Sequence, residues 1–236
     1  MKRFLAIDTE TTNEGMVLDV ALCGYKSKKL VPIGSQGYVI KEVWDRCLQG
    51  EDFLFCGGNG HFSRKSLDKR MAVYTKMLQT GKRKFISKEH LQTLFDLYLG
   101  QDYVFTAYNN PFDIGKLQNT GIVFPENFEQ CDIWRTFQAY LQEHPTLLKK
   151  YWTTAVQNHH HKNNVLVTAH LTVRTNADTA ARFVLGDNIP PEPHTALEDV
   201  RLYEIPVLRW LFARNAKIVN DGRDWAEMSL KNLMEI

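Results

Sequence analysis

The hydrophobic positions of this chain change period along its length, and the changes mark out its elements. Residues 4–10 (FLAIDTE) begin apolar on consecutive positions, the pattern of a strand covered on both faces. Runs 16–25 and 29–40 are rich in Val, Ile and Leu and are punctuated by Gly15, Gly24, Gly34 and Gly37, which predicts two further strands in a meander. The glycine-rich stretch 50–63 reads as a loop. Leu67, Met71, Tyr74, Met77 and Leu78 then recur at helical spacing over 66–80, with Gly81 placed to close the helix. Residues 87–99 repeat that grammar: Ser87 caps, Leu91, Leu94, Phe95 and Tyr98 form the stripe, and Gly100 ends it.

The second half alternates. Residues 103–108 (YVFTAY) predict a strand that runs into a helix start, with Asn110 as cap and Pro111 as first residue. Another strand is expected over 127–133, then helix over 134–157 broken at His144-Pro145, a polar loop over 158–164 and a short helix over 176–185. Pro190, Pro191 and Pro193 stop the chain before a final helix over 196–213. Strands first, then strands alternating with helices, predict an α/β fold with a mixed five-stranded sheet flanked by helices. Nothing in the sequence resembles an internal repeat or a Gly/Ser/Pro linker, so one domain is expected over 1–236, with insertions around 41–84 and 145–190.

Composition narrows the function classes. At 236 residues, 44% hydrophobic and 24% charged, the chain is ordinary globular material, which excludes long disorder, a disulfide-dense miniprotein and a rod. No apolar run reaches the roughly eighteen residues of a membrane span. The opening MKRFLAIDTETT meets Asp8 and Glu10 before a secretory apolar core could form, and Cys23, Cys47, Cys56 and Cys131 lack metal-ligand spacing, so reduced thiols in a cytoplasmic protein are expected. The net charge of +2 excludes a uniformly basic nucleic-acid binder. Two basic clusters, Arg64-Lys65 with Lys69-Arg70 and Lys82-Arg83-Lys84, read by themselves as a solvated helix face and a turn. Gly57-Gly58-Asn59-Gly60 lacks the Gly-Lys-Ser/Thr of a phosphate loop, and His159-His160-His161 reads as exposed.

Three acidic pieces carry candidate chemistry. Asp8 and Glu10, two apart on a strand, project from one face with Cα atoms roughly 7 Å apart. A strand buried on both faces does not normally end in two repelling charges, and the pair can hold divalent cations. Asp113 sits in the first turn of the helix that follows a strand, where α/β ligands gather but where the helix dipole also favours an acid. His194 and Asp199 are five apart, about 140° around a continuous helix. Thr195 and Glu198 form a capping-box pattern that starts the helix after Thr195 and leaves His194 on a proline-bounded loop. Each piece has a plain reading: a strand emerging into solvent, a dipole-favoured acid, a loop histidine beside a helix-start acid.

In order, Asp8-x-Glu10, Asn110-x-x-Asp113 and His194-x-Ala196-x-x-Asp199 resemble the DEDDh family of 3′–5′ exonucleases, of the RNase H-like fold. That family contains the proofreading subunit of bacterial replicative polymerase, ribonuclease T and oligoribonuclease. Thr11-Thr12 and the Tyr108–Asp113 segment also look like the family, although many relatives carry histidine where this chain has Tyr108. The insertions look most like those of bacteriophage-encoded members, which implies action in a bacterial cytoplasm.

The resemblance implies that Asp8, Glu10, Asp113 and Asp199 hold two Mg²⁺ or Mn²⁺ ions and that His194 is the general base. A histidine in that role implies a rate that climbs from mildly acidic to mildly alkaline pH. Thr11, Thr12, Asn110 and Phe112 are the expected substrate contacts. Asp132 is either a neighbour of the acidic cradle or a strand-end acid. The implied partners are a single-stranded nucleic-acid 3′ end, with DNA favoured over RNA, and a polymerase or other replication protein; a membrane is not among them. An exoribonuclease and a catalytically inert nucleic-acid-binding module remain as alternatives.

Overall fold

The computed structural model describes residues 2–54, 64–162 and 175–220, with backbone alone over 64–68 and 155–162. Strands β1 (Arg3–Thr11), β2 (Val17–Lys26) and β3 (Val31–Ile40) form the expected antiparallel meander. Helices α1 (Lys41–Gln49) and α2 (Arg64–Gln79) follow, then β4 (Lys84–Ile86) and α3 (Lys88–Leu99). Next come β5 (Tyr103–Ala107), α4 (Asn110–Asn119), β6 (Gln130–Asp132), α5 (Ile133–Gln142), α6 (Pro145–Lys162) and α7 (Ala177–Leu185). The last helix is in three parts: α8 (Ala196–Asp199), a π-helical turn (Val200–Glu204) and α9 (Ile205–Ala213).

The fold is α/β, with a mixed sheet flanked by helices as expected, but the sheet has six strands rather than five, in the order β4-β3-β2-β1-β5-β6. The added strand is β4, parallel to β3 at the edge. Its three residues are too few to show a period, and they sit where the sequence shows a basic cluster. The 41–84 region therefore forms α1 and α2 and leads into the edge strand β4. The 158–164 loop is also corrected, because α6 continues to Lys162; residues 163–164 lie outside the described residues, as do Cys56 and the Gly57–Gly60 run. The break at His144-Pro145 stands where α5 ends and α6 begins.

Strand alternation on β1 explains the core. Phe4 and Ala6 join one apolar cluster, with residues of α5, α7 and α9, and Leu5 and Ile7 join the other, with residues of α1, α3 and α4. All four are fully buried, so β1 is central in the sense its sequence predicts. Continuing the alternation, Asp8 and Glu10 point to the α8 side and Thr9 to the α4 side. The free thiols Cys23 and Cys131 are buried and Cys47 half-buried. Among the described residues no helix is long and apolar enough to cross a membrane.

Candidate active site

One cleft of about 180 Å³ is lined by Asp8, Glu10, Tyr108, Asn109, Phe112, Asp113, Ala177, Glu192, His194, Asp199 and Glu204. It lies where the C-terminal ends of β1 and the parallel β5 meet α4 and α8, the part of an α/β sheet where strands stop and side chains become available. All four acids of the sequence motifs and His194 reach it.

Asp113 arrives from the opposite layer to Asp199. It is in the first turn of α4, and the hydroxyl of Thr9 donates to its Oδ1 at 2.7 Å. Thr9, between the two β1 acids and on the other face, thus fixes the third acid. The cap of α4 is Asn109 rather than Asn110: its carbonyl accepts from the Phe112 and Asp113 N–H groups. Pro111 is accordingly the second helical residue. Asn110 is 1% exposed and turns inward, donating to the Phe105 carbonyl.

His194 precedes α8 with φ +53°, a left-handed backbone that histidine rarely adopts. Its ring is exposed, with Nδ1 4.0 Å from Glu192 Oε2. Thr195 is the N-cap, but the capping box is altered: its hydroxyl donates to Glu198 Oε2 at 2.9 Å, and no side-chain bond reaches the backbone. The N-terminus of α8 is capped from the sheet instead, where Asp19 Oδ2 accepts from Ala196 N–H at 3.1 Å. Ligand atoms of Glu10, His194 and Asp199 lie within 4.8 Å of one another.

The two basic clusters each send one arginine inward. Arg70 of α2 donates through Nη2 to Glu10 Oε2 at 3.1 Å and to the His194 carbonyl at 2.7 Å. Arg83 is fully buried, pairing with Asp19 (Nε to Oδ1, 2.8 Å) and Glu198 (Nη2 to Oε2, 2.6 Å). This corrects the reading of Lys82-Arg83-Lys84 as a solvated turn. Glu10 and Asp19 are register partners on β1 and β2, so two like charges stand side by side on neighbouring strands. An arginine from the 41–84 region answers each.

Burial dominates the electrostatics. It raises the Asp8 carboxyl well above the usual carboxylate range, and Glu204, Asp113, Glu10 and Asp199 push it further. Burial takes Asp199 to about 8, with Glu192 and Glu10 adding to the rise. It takes Asp113 to about 7 although Thr9 draws it back. Glu10 is raised by burial and pulled back by Arg70 and His194. Asp199 Oδ1 and Glu204 Oε2 are buried without a hydrogen-bond partner among the described residues. Orphaned, crowded carboxylate oxygens with raised proton affinity fit hard divalent cations, which take all-oxygen ligand sets and would relieve the repulsion.

Not every expected contact is at the cleft. Thr11, Thr12 and Asn110 do not line it; Thr12 serves the β1–β2 turn, its N–H donating to the Met16 carbonyl and its hydroxyl accepting from Met16 N–H. Phe112 does line it, 47% exposed, with Lys116 Nζ 5.2 Å from its ring centroid. Asp132 is the N-cap of α5, accepting from Arg135 N–H at 2.9 Å, and it is also near enough to Asp113 to raise that carboxyl, so both readings of it hold. Glu192, Glu204, Arg70 and Thr9 are site residues that the motifs did not name. Glu192 and Thr9 flank motif residues and were within reach of the sequence; the places of Arg70 and Glu204 depend on a contact 60 residues distant and on a helix irregularity. No protein-family model and no curated protein matches this chain.

Proposed function

We propose that this chain is a metal-dependent 3′–5′ exonuclease that hydrolyses the terminal phosphodiester of single-stranded DNA and releases nucleoside 5′-monophosphates. The observation that carries this reading is the meeting of Asp8, Glu10, Asp113, Asp199 and His194, remote in sequence, on one cleft. Their order and local settings resemble those of the DEDDh family.

Asp8, Glu10, Asp113 and Asp199 are the residues that hold two Mg²⁺ or Mn²⁺ ions. When bound, such ions supply Lewis acidity toward a phosphodiester. His194, exposed on its loop, accepts the proton of the attacking water. Arg70 fixes the His194 main chain and so the approach of the imidazole. Phe112 offers an exposed ring face at the cleft for the terminal base, with the Lys116 ammonium nearby for a phosphate. Within a bacterial cell the partner of a proofreading role is a polymerase or other replication protein.

End-labelled single-stranded DNA, single-stranded RNA and duplex DNA, each with Mg²⁺, Mn²⁺ or EDTA, test the reading. Metal-dependent release of mononucleotides from DNA supports it. Release from RNA alone makes the protein an exoribonuclease, and binding without cleavage makes it an inert module.

A further inference from the structure

Glu204 is a carboxylate that the three motifs leave unused. It is 3% exposed, lines the cleft, and leaves Oε2 without a partner among the described residues. The main-chain N–H of Tyr108 lies near enough to draw its proton affinity down a little. Burial, then Asp113 and Asp199, hold the carboxyl well above the usual range. Glu204 is in turn the neighbour that raises Asp8 most.

The backbone gives a reason for this placement. Asp199 and Glu204 are five residues apart, and on a regular α-helix they would diverge by about 140°. The segment between them is a π-helical turn, Val200–Glu204, closed by bonds between residues five apart. Such a turn carries residues five apart to nearly the same face. It brings Glu204 round to the side from which Asp199 enters the cleft. A π-turn inside a helix costs stability and recurs at functional sites; here it replaces an outward-turned glutamate by a buried one.

We propose that Glu204 is a fifth carboxylate ligand of the divalent-ion cradle, placed there by the π-turn. The inference rests on the nuclease reading and adds to its ligand set. Charge is consistent with it. Six carboxylates, Asp8, Glu10, Asp113, Glu192, Asp199 and Glu204, line the cleft, and two dications with the guanidinium of Arg70 offset five of the six charges. The plain alternative is that Glu204 only fills the space beside the Tyr108 main chain, a place that a glutamine takes equally well.

The test is Mn²⁺ titration, by calorimetry and by electron paramagnetic resonance, of the wild type, Glu204→Gln and Asp199→Asn. The expected result is a tenfold or greater loss of Mn²⁺ affinity in Glu204→Gln, with a metal-free melting temperature equal to or above that of the wild type. Unchanged affinity in Glu204→Gln, while Asp199→Asn loses it, overturns this inference and leaves the nuclease reading standing. No Mn²⁺ binding by the wild type overturns both. Anomalous scattering from wild-type crystals soaked in Mn²⁺ gives the answer without a variant: a peak at bonding distance from the Glu204 carboxylate is expected, and peaks on the other acids alone overturn it.

Discussion

Arg83 and Asp19 form an ion pair in which neither side chain is exposed, with Nε to Oδ1 at 2.8 Å and Nη2 to Oδ2 at 3.2 Å. Asp19 also caps α8, and Arg83 also holds Glu198, so this pair ties the helix that carries Asp199 to the strand opposite Glu10. Removing one partner leaves an uncompensated buried charge. Arg83→Met is therefore expected to cost about 3–5 kcal/mol in chemical denaturation, and to lower activity through displacement of Asp199. Arg83→Met combined with Asp19→Leu should recover part of the stability, because both fully buried charges are gone while the Ala196 N–H loses its cap and Glu198 its partner.

Gly37 makes room for that pair. A Cβ there would lie 2.6 Å from Arg83 Nε, an atom that its ion pairs hold in place. Gly37→Ala should destabilise the fold by about 1–3 kcal/mol, as overpacking does. Gly34→Ala on the same strand meets nothing within 4 Å and should change stability little. Urea midpoints of the two variants check the contrast.

The acids of the cleft set the pH dependence of the metal-free protein. Carboxyls in an unfolded chain lose their protons near about pH 4, whereas Asp113 and Asp199 in the fold are raised to about 7 and about 8, chiefly by burial. Across that window the folded state holds more protons than the unfolded state, so its stability is full at the acidic end and falls as pH rises. Melting in EDTA should drop by several degrees from about pH 5 to pH 8. Saturating Mn²⁺ should flatten or reverse the slope, because the metal binds the deprotonated acids.

Arg70 joins α2 to the His194 loop and to Glu10. Charged hydrogen bonds of this kind are each worth about 1.5–3 kcal/mol, so Arg70→Ala should lower the cleavage rate roughly 10-fold or more. Arg70→Lys should restore part of it, since one nitrogen, Nη2, makes both bonds and an ammonium can donate to two acceptors where its shorter side chain reaches them. Steady-state rates on a short single-stranded substrate, with circular dichroism as a check of folding, measure the effect.

The sequence made legible whatever depends on local pattern. The β1–β3 meander, the capped helix after Ser87, and the strand-to-helix turn that delivers Asp113 all follow from periodicity, capping residues and proline placement. That Asp8, Glu10, Asp113, Asp199 and His194 meet at one cleft was expected from the three motifs taken together and the family they resemble, since each piece alone has a plain reading. Strand β4 was not, because three residues cannot show alternation and its pairing with β3 is set by tertiary contact. Arg70 and Arg83 were hidden for a related reason: a basic cluster looks solvated until the acids it pairs with are located, and Glu10 and Asp19 lie 60 and 64 residues away. Glu204 was masked by the helical period itself, which turns it away from Asp199 unless the helix contains the π-turn.

The most direct measurement is a time course on single-stranded DNA labelled at its 3′ terminus, with Mg²⁺, with EDTA, and with Asp199→Asn in place of the wild type. The expected result is prompt appearance of labelled nucleoside 5′-monophosphate with Mg²⁺ and none in the other two reactions. Label retained in the intact strand under all three conditions, or released equally in EDTA and by the variant, would contradict a divalent-ion nuclease site at this cleft.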